Sequence, residues 1–198
     1  MSTTKKTIPE TVPEVYRSAL SSVLIDESAL QNRIREMAAA ISEDYEGKNP
    51  VFVGVLKGIL FFMADLLRAI PIPLEVDFMA IASYGPEARE QGYVRITKDL
   101  DLPIEDRHVI FVEDMIDTGL TLSYLLKLLQ ARNPASIEIA ALFDKPGRRI
   151  IPIQPKYLGF HLPDIFVVGY GLDYKENFRN LPFIAKLKPE ILKNKRPQ

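Results

Sequence analysis

Polar and apolar positions change their spacing several times along the 198-residue chain, and each change marks an element. Leu30, Ile34, Met37, Ala38 and Ile41 recur at helical spacing with Glu and Arg between them, which predicts a helix capped by Asp26 and ended by Gly47. Val51–Val55 is a short all-apolar run after Pro50 and predicts a buried strand. Ile59–Ile70 predicts a buried helix closed by Pro71 and Pro73. Leu74–Ala82 predicts a strand broken by Ser83-Tyr84-Gly85, and residues 86–92 a polar surface loop without period. Short strands are predicted at Tyr93–Ile96, Val109–Val112, Ile137–Phe143 and Phe166–Val168, with a helix over Leu122–Leu129. Residues 1–22, with prolines at 9 and 13, predict a flexible N-terminal arm without a core role, and 23–198 a single domain. Apolar strands that alternate with helices predict an α/β fold, a parallel sheet flanked by helices on both faces.

Composition narrows the chemistry. The chain has no cysteine and two histidines, which excludes a disulfide framework, a thiolate metal site and a cysteine nucleophile. Lys and Arg number 25 against 26 Asp and Glu, so net charge provides no attraction to nucleic acid or to an anionic membrane. Any anion must be held by local geometry. The N-terminus lacks the apolar run of a signal peptide. The longest apolar stretch, Gly58–Ala64, is far short of the roughly 20 residues a membrane span needs. The expectation is a cytoplasmic protein without membrane or nucleic-acid partners. His108 and His161 lack partners at ligand spacing and read as structural, and the basic stretch Lys186–Arg196 reads as a solvated end.

Parallel α/β sheets place ligands beyond the carboxyl ends of their strands, so the residues after each strand carry the information. Val109–Val112 runs into Glu113-Asp114, Met115-Ile116 and Asp117-Thr118-Gly119-Leu120-Thr121. Three carboxylates within five residues repel one another unless a cation or a hydroxyl-rich ligand is present. Thr118, Gly119 and Thr121 follow at once and open a helix, where backbone N–H groups and two hydroxyls form an anion cradle. Acids beside a phosphate cradle suit a sugar phosphate. A lone Asp-Thr-Gly would read equally well as an ordinary capped helix start. Leu56-Lys57-Gly58 is not a P-loop and by itself reads first as a structural turn.

The string from Val109 to Thr121 resembles the phosphoribosyl-pyrophosphate signature of the type I phosphoribosyltransferases, and Val51–Arg179 resembles their hypoxanthine-guanine branch. The resemblance implies a small hood built from the chain ends, a homodimer or homotetramer, and Mg²⁺ as cofactor. It also implies transfer of a phosphoribosyl group from phosphoribosyl pyrophosphate to hypoxanthine or guanine, giving the nucleotide and pyrophosphate. Glu113 and Asp114 would hold the ribose diol and metal, and Thr118, Gly119 and Thr121 the 5′-phosphate. Asp117 would be the acid/base at purine N7. Lys57 and Gly58 would form the pyrophosphate loop, often with a cis bond before the lysine, and Arg179 would meet the pyrophosphate. Ile59 is bulkier than the small residue usual after that glycine. Ser83 and Tyr84 would begin the closing loop, where Glu87, Ala88, Arg89 and Glu90 replace the Ser/Thr-rich residues of many relatives. Lys145 would donate to the exocyclic oxygen of a 6-oxopurine, Phe166 would stack on the base, the Val167 backbone would read its edge, and Asp173 would bind metal.

Two other classes use similar parts. A nucleotide-sensing RNA-binding regulator on the same fold would need a local basic face. A phosphoacceptor or phosphatase domain would need acids at two early strand ends, whereas the first strand here ends in Leu-Lys-Gly.

Overall fold

A computed structural model describes residues 7–83 and 94–193. The chain forms two compact units, residues 33–164 and the two chain ends, up to 32 and from 165.

Unit 33–164 is a six-stranded sheet. Its strands are β2 (Val51–Leu56), β3 (Glu75–Ser83), β4 (Val94–Lys98), β5 (His108–Ile116), β6 (Ser136–Asp144) and β7 (Tyr157–His161). Their order is β4-β3-β2-β5-β6-β7, parallel except for β4, which pairs antiparallel with β3. Helices α2 (Glu27–Tyr45), α3 (Leu60–Ala69) and α4 (Leu120–Gln130) complete it. The central strands are apolar because both of their faces are covered. Val51, Val53, Val109, Phe111 and Ala141 share one core with Leu122, Leu125 and Leu129 of α4. Phe52, Ile110, Val112 and Ala140, at the alternating positions, are fully buried as well. Each such side chain contributes about 1.5–3 kcal/mol of burial. The Asp26 carboxylate accepts a 2.8 Å bond from Ala29 N and caps α2, and Gly47 beyond its end has φ +75°.

β7 is absent from the sequence-based prediction because Tyr157-Leu158-Gly159-Phe160-His161 is mixed and half-buried. β5 is longer than predicted. Its pairing with β6 continues to Ile116↔Asp144, so Glu113 and Asp114 are strand residues and not part of a turn.

The unit of the chain ends holds α1 (Glu14–Arg17), β1 (Leu20–Ile25), β8 (Val167–Val168), β9 (Ile184–Leu187) and α5 (Pro189–Lys193). β9 lies between β1 and β8, antiparallel to both. Its core joins Val12, Ala19, Leu20 and Val23 to Val168, Phe178, Leu181, Phe183, Ala185 and Leu187. Residues 8–22 thus have a core role, against the prediction of a loose arm. Apolar residues too widely spaced to make an amphipathic element alone find their partners at the far end of the chain, as Leu20 does opposite Leu187. Lys186 likewise lies in a strand, opposite Val167, and is not part of a solvated end. Among the described residues no helix is long and apolar enough to cross a membrane.

Candidate active site

In the larger unit, β2 is followed in the chain by β3 on one side and then by β5 on the other. Such a reversal opens a crevice beyond the carboxyl ends of the strands. Pairing of β2 with β5 runs from Val51↔Val109 to Gly54↔Val112 and stops. Beyond it, β2 leads through a cis Leu56–Lys57 peptide into Gly58. This turn lies against β5: a Cβ on Gly58 would stand 1.7 Å from Asp114 Oδ2. Only glycine lets the backbone N–H groups of the turn and the Asp114 carboxylate share this space. Ile59, the bulky residue of this turn, is buried.

Glu113 stands opposite Ala141 in the ladder. Burial and the adjacent Asp114 carboxylate push its carboxyl well above the usual range. Both side chains offer only carboxylate oxygens, the donor chemistry of a hard cation or a diol. Among the described residues no group of three or more His, Cys, Asp or Glu could hold a metal by itself. Magnesium is ordinarily held by one or two carboxylates plus substrate phosphates, so the donor set fits an ion that arrives with a polyphosphate.

Asp117 follows the end of β5. Its Oδ1 is buried, has no aligned hydrogen bond, and lies 3.1 Å from Arg148 Nε. Gly119 caps α4 with φ +82°, a conformation that favours glycine. Leu120 N donates to Thr118 Oγ1 at 3.4 Å and Ser123 N to Gly119 O at 2.9 Å. Thr118 and Thr121 are half-buried on this turn. The first N–H groups of α4 have no carbonyl partner within the helix and, beyond the long bond from Leu120 N, point toward where an anion would sit.

Lys145 follows β6 and is 5% exposed. Its N–H donates to Ile116 O at 3.0 Å, which fixes the start of its loop to the end of β5. Burial lowers its ammonium pKa, opposed by Asp117, reinforced by Arg148 and opposed by Asp164. A buried cation with acids nearby is a directional donor for a carbonyl. The structure thus brings Lys57, Gly58, Glu113, Asp114, Asp117, Thr118, Gly119, Thr121 and Lys145 to the ends of three adjacent strands. Ser83 ends β3, and Tyr84 with the 86–92 loop lies outside the described residues.

The other predicted residues belong to the unit of the chain ends. Phe166 precedes β8 rather than lying in it, is 43% exposed, and meets the Tyr174 ring edge-on at 5.7 Å. Val167 is buried and opposite Lys186. Asp173 accepts from Glu176 N at 2.9 Å and pairs with Arg179 Nη2 at 2.9 Å. Arg179 Nη1 donates to Gly171 O, while its Nε is buried without a hydrogen-bond partner.

Sequence reasoning assigned no role to Arg148 and Arg149, although both stand directly after the Lys145 loop. Two consecutive arginines close after Asp144 and Lys145 at a strand end were the available signal. His161, which reads as structural, has its Nδ1 3.2 Å from Asp144 Oδ2.

The fold and this set of strand ends define a phosphoribosyl-transfer scaffold. The family model "Phosphoribosyl transferase domain" matches residues 24–175, and the chain belongs to that family. It is 48% identical over 172 residues to the hypoxanthine-guanine phosphoribosyltransferase of Bacillus subtilis, covering 87% of this chain and 96% of that one. It is 49% identical over 178 residues to the bifunctional protein TilS/HprT of Listeria innocua, covering 90% of this chain and 28% of the relative's length. The crystal structure of a hypoxanthine phosphoribosyltransferase from Staphylococcus aureus superposes with a TM-score of 0.89 at 45% identity, covering 94% of this chain and all of that one.

Proposed function

We propose that the protein transfers the 5-phosphoribosyl group from phosphoribosyl pyrophosphate to hypoxanthine or guanine, as the names of its relatives describe for them. The observation that carries this reading is the convergence of Asp114 on Gly58, Asp117, the Thr118–Thr121 turn and buried Lys145 at three neighbouring strand ends.

In this reading, the bond between the anomeric carbon and the pyrophosphate oxygen breaks while a bond to purine N9 forms. The N7 proton passes to the Asp117 carboxylate, whose Oδ1 lacks an aligned partner. Lys145 donates to the purine O6. The N–H groups at the start of α4, with the Thr118 and Thr121 hydroxyls, hold the 5′-phosphate. Glu113 and Asp114 hold the ribose diol, and Lys57 with the Gly58 turn receives the pyrophosphate. Mg²⁺, which Glu113 and Asp114 fit and to which Asp173 is assigned, would neutralise the leaving pyrophosphate. Exposed Phe166 suits stacking, the Val167 backbone reading of the base edge, and Arg179 pyrophosphate binding. Assembly as a homodimer or homotetramer belongs to the same reading, and half-exposed Leu60 and Phe61 on α3 supply apolar surface for it. A cytoplasmic location is part of it too.

The test is nucleotide formation by the purified protein with phosphoribosyl pyrophosphate, Mg²⁺ and each purine in turn. Transfer to hypoxanthine or guanine supports the reading, and failure with both sinks it. Sedimentation velocity checks the assembly.

A further inference from the structure

Of the two arginines after Lys145, Arg149 is the buried one, with a side chain 13% exposed. Its guanidinium reaches four acceptors. Nε donates to Asp117 O at 3.1 Å and Nη2 to Ile116 O at 3.4 Å. Nη1 donates to Ile153 O, and Nη2 also bonds the Asp144 carboxylate. Asp144 is 6% exposed and closes the β6 strand, so the arginine is anchored to the sheet.

The main chain beyond Arg149 reinforces the same grip. Ile150 N and Ile151 N both donate to Thr118 O, at 2.9 and 3.1 Å. Gly119 lies directly under this strap: a Cβ there would stand 3.0 Å from Ile151 O and 3.3 Å from Arg149 Cδ. Ile116 O still accepts from Lys145 N and Gly119 O from Ser123 N, but between them the Asp117 and Thr118 carbonyls have left β5 and are held by Arg149 and by the main chain after it.

We propose that Arg149 is a positioning residue for phosphoribosyl transfer, holding Ile116–Gly119 so that the Asp117 carboxylate and the phosphate-binding turn keep their working geometry. The proposal rests on the function assigned above. A guanidinium suits the task because its planar fork spans several acceptors at once, whereas a lysine ammonium is a single point. Arg149→Lys therefore keeps a cation for Asp144 but cannot bridge the carbonyls of Ile116, Asp117 and Ile153.

The experiment compares the unmutated protein with Arg149→Lys and with the pair Arg149→Met/Asp144→Asn, which leaves no buried carboxylate unpaired. Thermal midpoint, amide hydrogen exchange and single-turnover transfer are measured on each. For Arg149→Lys, the midpoint should fall by about 5 °C or less, with the protein still folded. Exchange at Ile150 and Ile151, whose N–H groups donate to Thr118 O, should rise about tenfold or more while 140–143 in β6 stay protected. Single-turnover transfer should fall about 10- to 100-fold, in kcat more than in KM for the purine. The double variant should show the same local pattern and serves if the lysine variant does not fold. Either unchanged exchange at Ile150 and Ile151 or a full transfer rate overturns the proposal. So does a uniform rise in exchange that follows a lowered midpoint, which marks a merely structural arginine. An unmutated protein that transfers to neither purine removes the function reading instead, and the exchange data still determine whether Arg149 holds the segment.

Discussion

Ile59 fills the space that a side chain at position 54 would take: a Cβ on Gly54 would stand 2.2 Å from Ile59 Cδ1. The bulky residue after the Lys57-Gly58 turn is therefore accommodated by a glycine five residues earlier, in β2. Met63 Cε of α3 lies 3.1 Å from the same point, so the neighbourhood has no slack. Gly54→Ala should cost about 1–3 kcal/mol through overpacking. Ile59→Val removes the clashing methyl, so the double variant should be more stable than the sum of the two single losses by about 1 kcal/mol. Urea midpoints of the four proteins check this, and strictly additive losses would deny the contact.

Asp117→Asn should slow transfer by about 10²–10⁴-fold. The amide keeps the size of the side chain and can stay beside Arg148, which lies 3.1 Å from Oδ1, but it cannot take the N7 proton. Affinity for phosphoribosyl pyrophosphate should be nearly unchanged. Rapid-quench kinetics, where chemistry limits the rate, provide the measurement, and full kcat there would refute the assignment.

Lys145 should set the base choice. A buried ammonium that donates to a carbonyl oxygen finds no acceptor in the amino group of adenine, a mismatch of about 1–3 kcal/mol or more because the donor is charged. Hypoxanthine and guanine should be turned over and adenine hardly at all. Burial holds the ammonium below the ordinary lysine range of about 10.4, and Arg148 adds to the effect against Asp117 and Asp164. The donor is present below its pKa and lost above it. Hence kcat/KM for hypoxanthine should fall on the alkaline side earlier than a free lysine would require. Lys145→Ala should lose 6-oxopurine efficiency at all pH values and lose that alkaline limb. Efficient use of adenine by the unmutated protein would contradict the assignment.

Asp77 governs acid stability in the sheet. Burial alone would push its carboxyl up, but the N–H groups of Leu102, Phe78 and Asp101 and the Lys98 ammonium outweigh it and hold it below its usual value. A depressed carboxyl contributes stability above its unfolded-state pKa of about 3.9 and loses it as pH falls through the folded value. Asp77→Ala should cost about 2–4 kcal/mol near neutral pH by leaving buried donors unpaired. Asp77→Asn should lose less stability than the unmutated protein between about pH 5 and pH 2. Urea midpoints across that range test both, and parallel acid profiles of Asn and Asp proteins would exclude this role for Asp77.

Apolar spacing was enough to locate α2, α3, α4 and the central strands, because strands covered on both faces and helices with one buried stripe write their environment into consecutive residues. The string Glu113–Thr121 carried its chemistry for the same reason: acids, glycine and hydroxyls there are neighbours in the chain. Other features depend on residues far apart in sequence. Val12 and Leu20 became core through β9, and mixed β7 formed because β6 offered it an edge. Gly58 was a turn residue until β5 brought Asp114 against it, and Arg149 acquired its four acceptors only when Ile116, Asp117, Asp144 and Ile153 were folded around it. Local spacing encodes burial and backbone geometry. Steric fit and hydrogen bonding between segments arise from which strand ends the sheet order places side by side.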